Sequence, residues 1–412
     1  MHSTRPTAMS LLHVLLYTLL SVSVTKAYKL DKQLDASNFL NSFKSINGSD
    51  KYSNGYASYV SKDEAMSMGL ARVVGNQVFL GVDNTTVVDA MPQGGRKSVR
   101  LESCDTIEHG LIIADFEHLP AKACGMWPTF RLLHEREHDR DFHSEIDVVE
   151  AISYLPRNEI TMSTNPTKCT MVAQEGTGDV FGTNCTEEIG GCGAIAPYGT
   201  FGDAFNRRGG GIWATQIEAE GIKIWYIRRS NVPADIKSGS PDPSNWGMPV
   251  MSFVPRNCDI SAAWRKVKMV FNITFCGGRA GGAACNDFSK CNVKTGFTSC
   301  ERYVAKTPSA FDEVYFLINS VKTYTKKGLP SFRQGNVLKS SRPQTVVLAV
   351  YVSGRLHRDE WCSEIEDARH DMMNGYNLEF LTYLPYGEVG HIFHVHVEYA
   401  VLNNEMIMML SL

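Results

Sequence analysis

The sequence of 412 residues has little net charge, because 41 Lys and Arg residues stand against 44 Asp and Glu residues. A net charge of −3 excludes nucleic-acid binding driven by bulk positive charge, and a hydrophobic content of 43% excludes an acidic disordered chain. No internal run approaches the roughly 18 to 20 apolar residues that a membrane-spanning helix needs. Patterns of long amphipathic helices are also absent. The composition therefore predicts a soluble globular protein with no membrane span and no nucleic-acid partner.

The first 27 residues have the pattern of a secretory signal peptide. Arg5 supplies the positive flank, the apolar stretch Ala8–Val24 follows, and Ala27 offers a small residue at a cleavage site. A buried first helix is the alternative, although a charged segment rarely precedes one. We expect the mature protein to begin at Tyr28 and to be extracellular or associated with the cell wall. Four N-x-S/T sequons would then be glycan acceptors: Asn47, Asn84, Asn184 and Asn272.

Eleven cysteines fit a secreted protein, and ten of them lie between Cys104 and Cys300. This even number is compatible with five disulfides, and Cys185 and Cys192 are close enough to close a local loop. The spacing leaves the other pairs open. No pair of C-x-x-C motifs indicates zinc. Cys362 stands apart near the C-terminus, where it would be an unusual free thiol in a secreted protein.

Residues 28 to about 325 have the pattern of short β-strands separated by turns. Segments such as Leu111–Phe116 and Val267–Phe275 are rich in Val, Ile and Phe, and several alternate apolar with polar residues. Connectors rich in Gly and Pro, such as Gly209–Gly211, lie between them. Many short strands in a span of this length predict one all-β sandwich.

Residues 326–412 differ in character and begin with a basic linker, Lys326–Pro330. They contain five of the twelve histidines, and His391, His394 and His396 invite a metal-binding interpretation. Two of these histidines alternate with valines, however, which favours a half-exposed strand. A small domain, an extension of the sandwich and an unordered segment all stay open for this C-terminal extension.

The segment Ser144–Glu150 contains three acids in the pattern E-x-D-x-x-E. Strand alternation places Glu145 and Asp147 on one face, and a single β-bulge before Glu150 would bring its side chain to the same face. Crowded carboxylates repel each other, so at least one should have a raised pKa. Retaining glycoside hydrolysis uses such a pair, one ionised as nucleophile and one protonated as acid. The alternative is an exposed strand whose acids face water.

Together with Cys124–Pro128, this segment resembles glycoside hydrolase family 16, in particular the secreted fungal endo-1,3(4)-β-glucanases, or laminarinases. Further blocks follow in the family's order: Gly95–Leu101, Phe205–Gly211, Asn231–Ile236, Asn245–Gly247, Asn257–Ile260, Asn272–Gly277 and Ser320–Tyr324. The resemblance implies a concanavalin A-like β-jelly roll of two curved antiparallel sheets, with a glycan cleft along the concave face. It divides the chain into a signal peptide (1–27), a catalytic domain (28–325) and an extension without a recognised domain (326–412).

Carried over position by position, the resemblance makes Glu145 the nucleophile, Asp147 the assisting acid and Glu150 the general acid/base. Three further residues match substrate-binding positions: Trp127, Arg100 and Asn206. The implied protein is a monomeric, secreted, retaining endo-β-glucanase that cleaves β-1,3- or mixed β-1,3/1,4-glucan. The reaction needs no metal and no organic cofactor.

The sequence departs from the family pattern in Arg140–Ser144, a loop about two residues longer than the family's, and at three single positions: Arg131 and Arg279 stand in place of Trp, and Ser163 in place of His. Aromatic rings hold sugars in such clefts, so these changes predict retained chemistry with altered recognition. Two added arginines would favour an anionic or unusually decorated glycan. Two other functions stay open: a transglycosylase that passes the glycosyl group to another sugar, and a glycan-binding protein that has lost turnover.

Overall fold

The computed structural model describes residues 28–89, 94–136 and 139–326, and three later strands: β21 (Leu348–Val350), β22 (His396–Leu402) and β23 (Glu405–Ser411). The predicted signal peptide, Cys362, His391 and His394 lie outside the described residues. The chain divides into two compact units, residues 1–329 and residues 330–412. In the second unit, β23 pairs with β21 and with β22, both antiparallel.

The described part of the first unit is mostly short strands: β1 (Tyr28–Leu34), β2 (Phe43–Ser45), β3 (Gly48–Ser49), β4 (Ala57–Tyr59), β5 (Ala71–Val74), β6 (Gln77–Gly81), β7 (Arg96–Ser98), β8 (Arg100–Ile107), β9 (Gly110–His118), β10 (Met126–Arg136), β11 (Asp139–Glu150), β12 (Glu159–Asn165), β13 (Thr170–Ala173), β14 (Asp179–Gly182), β15 (Cys192–Ile195), β16 (Gly211–Glu218), β17 (Gly221–Arg228), β18 (Met251–Asn257), β19 (Val267–Phe275) and β20 (Tyr315–Lys326). The segment Val267–Phe275, predicted from its β-branched and aromatic residues, is a strand over the same residues.

The helices are short, as the absence of long amphipathic patterns predicts: α1 (Lys62–Ser67), α2 (Gly202–Asn206), α3 (Ala234–Lys237), α4 (Ile260–Ala263), α5 (Gly277–Ala280), α6 (Cys291–Thr295) and α7 (Cys300–Lys306). Within the described residues there are also five 3₁₀ turns and one π turn: Phe39–Asn41, Glu187–Ile189, Arg229–Asn231, Pro243–Asn245, Pro308–Phe311 and, as the π turn, Ala284–Phe288. None of the helices among the described residues has the length and hydrophobicity that crossing a membrane requires.

Two large antiparallel sheets organise the described part of the first unit. The first sheet has the strand order β13-β18-β17-β16-β9-β20-β6-β5, with β1 also paired to β20. The second sheet has the order β14-β15-β12-β11-β10-β19-β8-β2. A small third sheet joins β3, β4 and β7. The predicted all-β architecture of two antiparallel sheets is confirmed.

Aromatic side chains join the two large sheets in one core. Phe116 and Phe316 come from the first sheet, and Phe130 and Phe271 come from the second. The Phe116 ring lies 5.9 Å from that of Phe130 and 6.3 Å from that of Phe271, and all four residues are at most 1% exposed. Since this core covers one face of the second sheet, the opposite face is left for polar side chains.

Four disulfides join pairs of described residues: Cys124–Cys291, Cys169–Cys258, Cys185–Cys192 and Cys276–Cys300. Cys104 is also disulfide-bonded. The predicted local loop between Cys185 and Cys192 is confirmed. The expectation of five disulfides among the ten cysteines is wrong, because Cys285 is a buried free thiol.

One of the four glycan sequons is inaccessible in the folded protein. Asn272 is 5% exposed and lies in β19, which is paired on both sides with β8 and β10. A glycan has no space at this position, so the expectation for Asn272 is wrong. Asn47 and Asn84 are exposed and stay predicted acceptors.

Candidate active site

The three acids of the E-x-D-x-x-E motif lie on β11, where a bulge changes the register with β10. Asp147 is opposite Arg131, and Glu150 is opposite Thr129. Three residue steps on β11 therefore match two steps on β10, which leaves Val148 as the extra residue of a β-bulge. Arg131 and Thr129 share a face of β10, so Asp147 and Glu150 share the matching face of β11. The predicted bulge between Asp147 and Glu150 is confirmed.

We call this side of the second sheet, which carries Glu145, Asp147 and Glu150 and points away from the aromatic core, the acid face. The three acids differ in exposure along it. The side chain of Glu145 is 23% exposed, whereas Asp147 is 5% and Glu150 is 3% exposed. The strand thus gives one acid access to solvent and buries the other two.

Glu145 is held from two sides. The Nη1 atom of Arg131 lies 3.0 Å from Glu145 Oε2, and the Ser163 hydroxyl lies 3.5 Å from Oε1. The indole of Trp264 donates to the backbone oxygen of Glu145 at 3.1 Å. A charge-assisted bond on one oxygen and a long contact on the other leave Oε1 the freer of the two for chemistry.

Glu150 is buried beneath two polar groups. The indole Nε1 of Trp127 donates to Glu150 Oε1 at 2.6 Å, and Nη2 of Arg279 lies 3.8 Å from Oε2. Burial raises the pKa of Glu150, while Arg279 and the Trp127 hydrogen bond act against this increase. Oε2 is buried and accepts no hydrogen bond from the described residues. A proton on Oε2 would therefore have no competing acceptor in the described site.

Asp147 lies between the two glutamates on the same face. Burial, followed by repulsion from Glu145 and Glu150, raises the pKa of Asp147 well above its ordinary value. Arg131 and Arg279 oppose this increase but do not cancel it. The site therefore combines one partly exposed, arginine-paired acid with two buried acids in which burial favours the protonated form.

Both arginines that replace tryptophans bind acids of the site. Arg131 pairs with Glu145, and Nη2 of Arg279 lies 2.5 Å from Glu159 Oε1 as well as close to Glu150. The Cys276–Cys300 disulfide fixes the start of α5, which carries Arg279. Since carboxylates of the site pair with both guanidinium groups, these arginines no longer support the predicted preference for an anionic glycan.

Trp127 and Arg100, two of the predicted substrate-binding residues, lie on the acid face. Trp127 contacts Glu150 directly. Arg100 of β8 is opposite Asn272, which in turn is opposite Thr129 on β10. The Arg100 side chain is 2% exposed, so it contributes to the floor of the acid face and leaves little surface for a ligand.

Asn206, the third predicted substrate-binding residue, is engaged elsewhere. Its Oδ1 accepts from the backbone N–H of Leu119, and its Nδ2 donates to the Leu119 backbone oxygen, both at 2.9 Å. Leu119 follows β9 of the first sheet. The structure therefore does not bring Asn206 to the acids; its amide fixes the end of α2 to the loop after β9.

The family assignment follows from the comparison with known proteins. A family model described as "XgeA-like, catalytic GH16 domain" matches residues 43–324. The chain belongs to glycoside hydrolase family 16. Family members of known structure superimpose on it. One is an elongating GH family 16 β-1,3-glucosyltransferase with 37% identity and a TM-score of 0.67; the match covers 72% of this chain and 100% of the glucosyltransferase chain. Laminarinase 16A from Phanerochaete chrysosporium has 32% identity and a TM-score of 0.66; the match covers 73% of this chain and 100% of the laminarinase chain. The predicted jelly roll is confirmed.

Curated fungal relatives agree with this family. Endo-1,3(4)-beta-glucanase xgeA of Emericella nidulans is 33% identical over 309 residues, which are 73% of this chain and 48% of that protein. A probable glycosidase of Schizosaccharomyces pombe is 34% identical over 307 residues, which are 73% of this chain and 70% of that protein. The chain spans about half the length of most of the curated relatives it matches, for example 47% of an Aspergillus fumigatus protein.

Proposed function

We propose that this family 16 member is a secreted, retaining endo-β-glucanase that hydrolyses β-1,3- or mixed β-1,3/1,4-glucan. The observation that supports it best is the contrast between Glu145 and Glu150 on one face of one strand. Glu145 is partly exposed and paired with Arg131, whereas burial raises the pKa of Glu150. Retaining hydrolysis requires this division into an ionised nucleophile and a protonated acid.

In the first step, Glu145 attacks the anomeric carbon of the glucosyl unit at the scissile bond. A bond forms between a Glu145 oxygen and this carbon, while the bond from the carbon to the leaving oxygen breaks. Glu150 transfers its proton to the leaving oxygen and becomes ionised. Arg131 holds Glu145 Oε2, which orients Oε1 for the attack.

In the second step, the ionised Glu150 accepts a proton from water, and the water oxygen attacks the anomeric carbon. The bond to Glu145 breaks and its electron pair returns to the carboxylate, next to the Arg131 guanidinium. Two inversions at one carbon restore the β configuration. The protonated Asp147, between the two glutamates, limits repulsion as charge moves between them.

One further feature supports secretion. The four disulfides among the described residues are typical of an oxidising compartment. We propose that residues 1–27 are removed, that residues 28–325 form the catalytic domain, and that residues 326–412 are accessory. The monomeric state and the absence of a cofactor stay predictions.

A transglycosylase is the second candidate function, because one similar structure, at 37% identity, is an elongating β-1,3-glucosyltransferase. The two functions share the first step and differ in whether water or a sugar hydroxyl attacks the glycosyl-enzyme. We expect chromatography of laminariheptaose digests to show only chains shorter than the substrate. Chains longer than seven sugars, at a yield that grows with added acceptor, would instead establish the transferase.

Arg131→Met should lower kcat/KM on laminarin on the order of a hundredfold, because Glu145 loses the cation that fixes its Oε2 atom. Arg131→Lys keeps the charge without the planar fork, so its loss should be smaller. Initial rates and melting temperatures of both variants test this. Unchanged kinetics in a folded Arg131→Met variant would show that the ion pair has no part in the reaction.

A further inference from the structure

Cross-strand register places a row of residues across the acid face at Asp147. On one side, Thr161 of β12 is opposite Asp147, and Gly193 of β15 is opposite Thr161. On the other side, Arg131 is opposite Asp147, and Val270 of β19 is opposite Arg131. The row continues in both directions to β14 and to β8, each three strands away from β11.

Phe181 lies at the β14 end of this row. The register between β14 and β15 shifts between Val180 and Gly182, so Phe181 is the extra residue of a bulge. The residue is 44% exposed, and a Cβ atom added to Gly193 would lie 2.8 Å from the ring Cζ. Gly193 shares its face with Thr161, so the ring lies on the acid face, next to the position that a Cβ atom at Gly193 would take.

Tyr52 covers the β8 end of the acid face. The guanidinium of Arg100 lies 4.7 Å from the centre of the Tyr52 ring. Two bonds to Glu102 Oε1, from Nε at 2.9 Å and from Nη2 at 2.7 Å, hold this guanidinium in place. Tyr52 itself is 59% exposed, so one face of the ring rests on Arg100 while much of its surface stays open to solvent.

We propose that Phe181 and Tyr52 are two sugar-stacking platforms that hold a long, neutral β-glucan chain across the acids; this inference rests on the proposed function. Aromatic rings bind the apolar faces of pyranose rings. The two rings replace the aromatic surface lost at Arg131 and Arg279, whose side chains hold acids instead.

The distance between Phe181 and Tyr52 determines how long a glucan must be to contact both rings. Neighbouring strands lie about 4.8 Å apart, so β14 and β8 are each roughly 14 Å from β11. A trisaccharide bound at the acids cannot contact both rings, whereas a polymer can. Phe181 and Tyr52 therefore determine a preference for long chains rather than the rate of bond cleavage.

The experiment compares kcat/KM of the full chain on polymeric laminarin and on laminaritriose. We expect Phe181→Ala and Tyr52→Ala each to lower the ratio of kcat/KM on laminarin to kcat/KM on laminaritriose about tenfold, mainly by raising KM for the polymer. Phe181→Tyr and Tyr52→Phe, which keep a flat ring, should retain most of the ratio. Phe79→Ala is the matched control, since this half-buried ring lies on β6 of the first sheet and should leave the ratio unchanged.

An unchanged ratio in folded Phe181→Ala and Tyr52→Ala variants would overturn the proposal. Phe181→Leu, which keeps apolar volume without a flat ring, replaces Phe181→Ala if the latter does not fold. Calorimetric binding of laminariheptaose in a Glu145→Gln background separates this inference from the proposed function. If the wild type releases no reducing ends but Phe181→Ala still weakens binding about tenfold, the platform proposal is supported and the glucanase proposal is wrong. If the wild type is active and the ratio is unchanged in both alanine variants, the glucanase proposal is supported and the platform proposal is wrong.

Discussion

Glu145→Gln should lower the release of reducing ends from laminarin by more than about a thousandfold, because an amide cannot form the glycosyl-enzyme. Gln has nearly the shape of Glu, so the fold and the contact with Ser163 should persist. The measurement is kcat/KM on laminarin and lichenan, with melting temperature as a check of folding. Equal activity in the variant and the wild type would exclude Glu145 as nucleophile. If both proteins are inert while laminarin still binds, the glycan-binding alternative is correct.

A chemical rescue distinguishes the nucleophile from the acid/base. Glu145→Ala leaves a space in which azide can attack an activated aryl β-glucoside, and a single inversion then gives the α-glycosyl azide. In Glu150→Ala, Glu145 still forms the covalent intermediate, so azide attack gives the β-glycosyl azide. Product configuration by NMR therefore assigns both roles, and exchanged configurations would reverse them.

Glu150→Gln should lower kcat/KM on laminarin by about 10² to 10⁴, the usual range for losing a general acid. An aryl glycoside with a good leaving group needs little protonation, so its first step should lose much less. Comparing the two substrates separates acid catalysis from a general disturbance of the site. Equal losses on both substrates would contradict the assignment.

The same residue sets the expected pH dependence. The first step needs protonated Glu150, whose pKa is raised by burial, so kcat/KM of the wild type should fall as pH rises through that raised pKa. The decrease should lie on the acidic side of neutrality and should be absent in Glu150→Gln. Because Glu145 and Glu150 both repel the charge on Asp147, the observed value belongs to the group of acids. Activity that still rises above about pH 8 would contradict the role.

The arrangement of the acids on β11 could be predicted because it depends on local geometry. Alternation fixes the faces of Glu145 and Asp147, and one extra residue suffices to bring Glu150 to the same face. The position of the bulge at Val148 needs only the spacing within the motif. The fold class could be predicted for a similar reason, since strand length and turn residues recur along the whole chain.

The partners of these acids could not be predicted, because they depend on contacts between distant segments. Arg131 contacts Glu145 only because the bulge sets the register between β10 and β11, and Arg279 comes from α5, more than a hundred residues later. The sequence showed that tryptophans were replaced, but not where the new side chains point. Tyr52 was missed for the same reason, since its loop meets Arg100 only in the folded protein.

The pairing of β1 with β20 has a practical consequence for how this catalytic unit can be handled. Tyr28 is in register with Lys326, whose ammonium lies 2.7 Å from Glu218, and the Tyr28 hydroxyl donates to the same carboxylate at 2.6 Å. The first and last described strands of the unit are thus adjacent, which is the geometry that permits insertion of residues 28–326 into a longer polypeptide or circular permutation. A recombinant fragment that ends at residue 325 would lack Lys326 and its ion pair with Glu218, whereas a fragment that ends at Lys326 would keep this contact between β20 and β16.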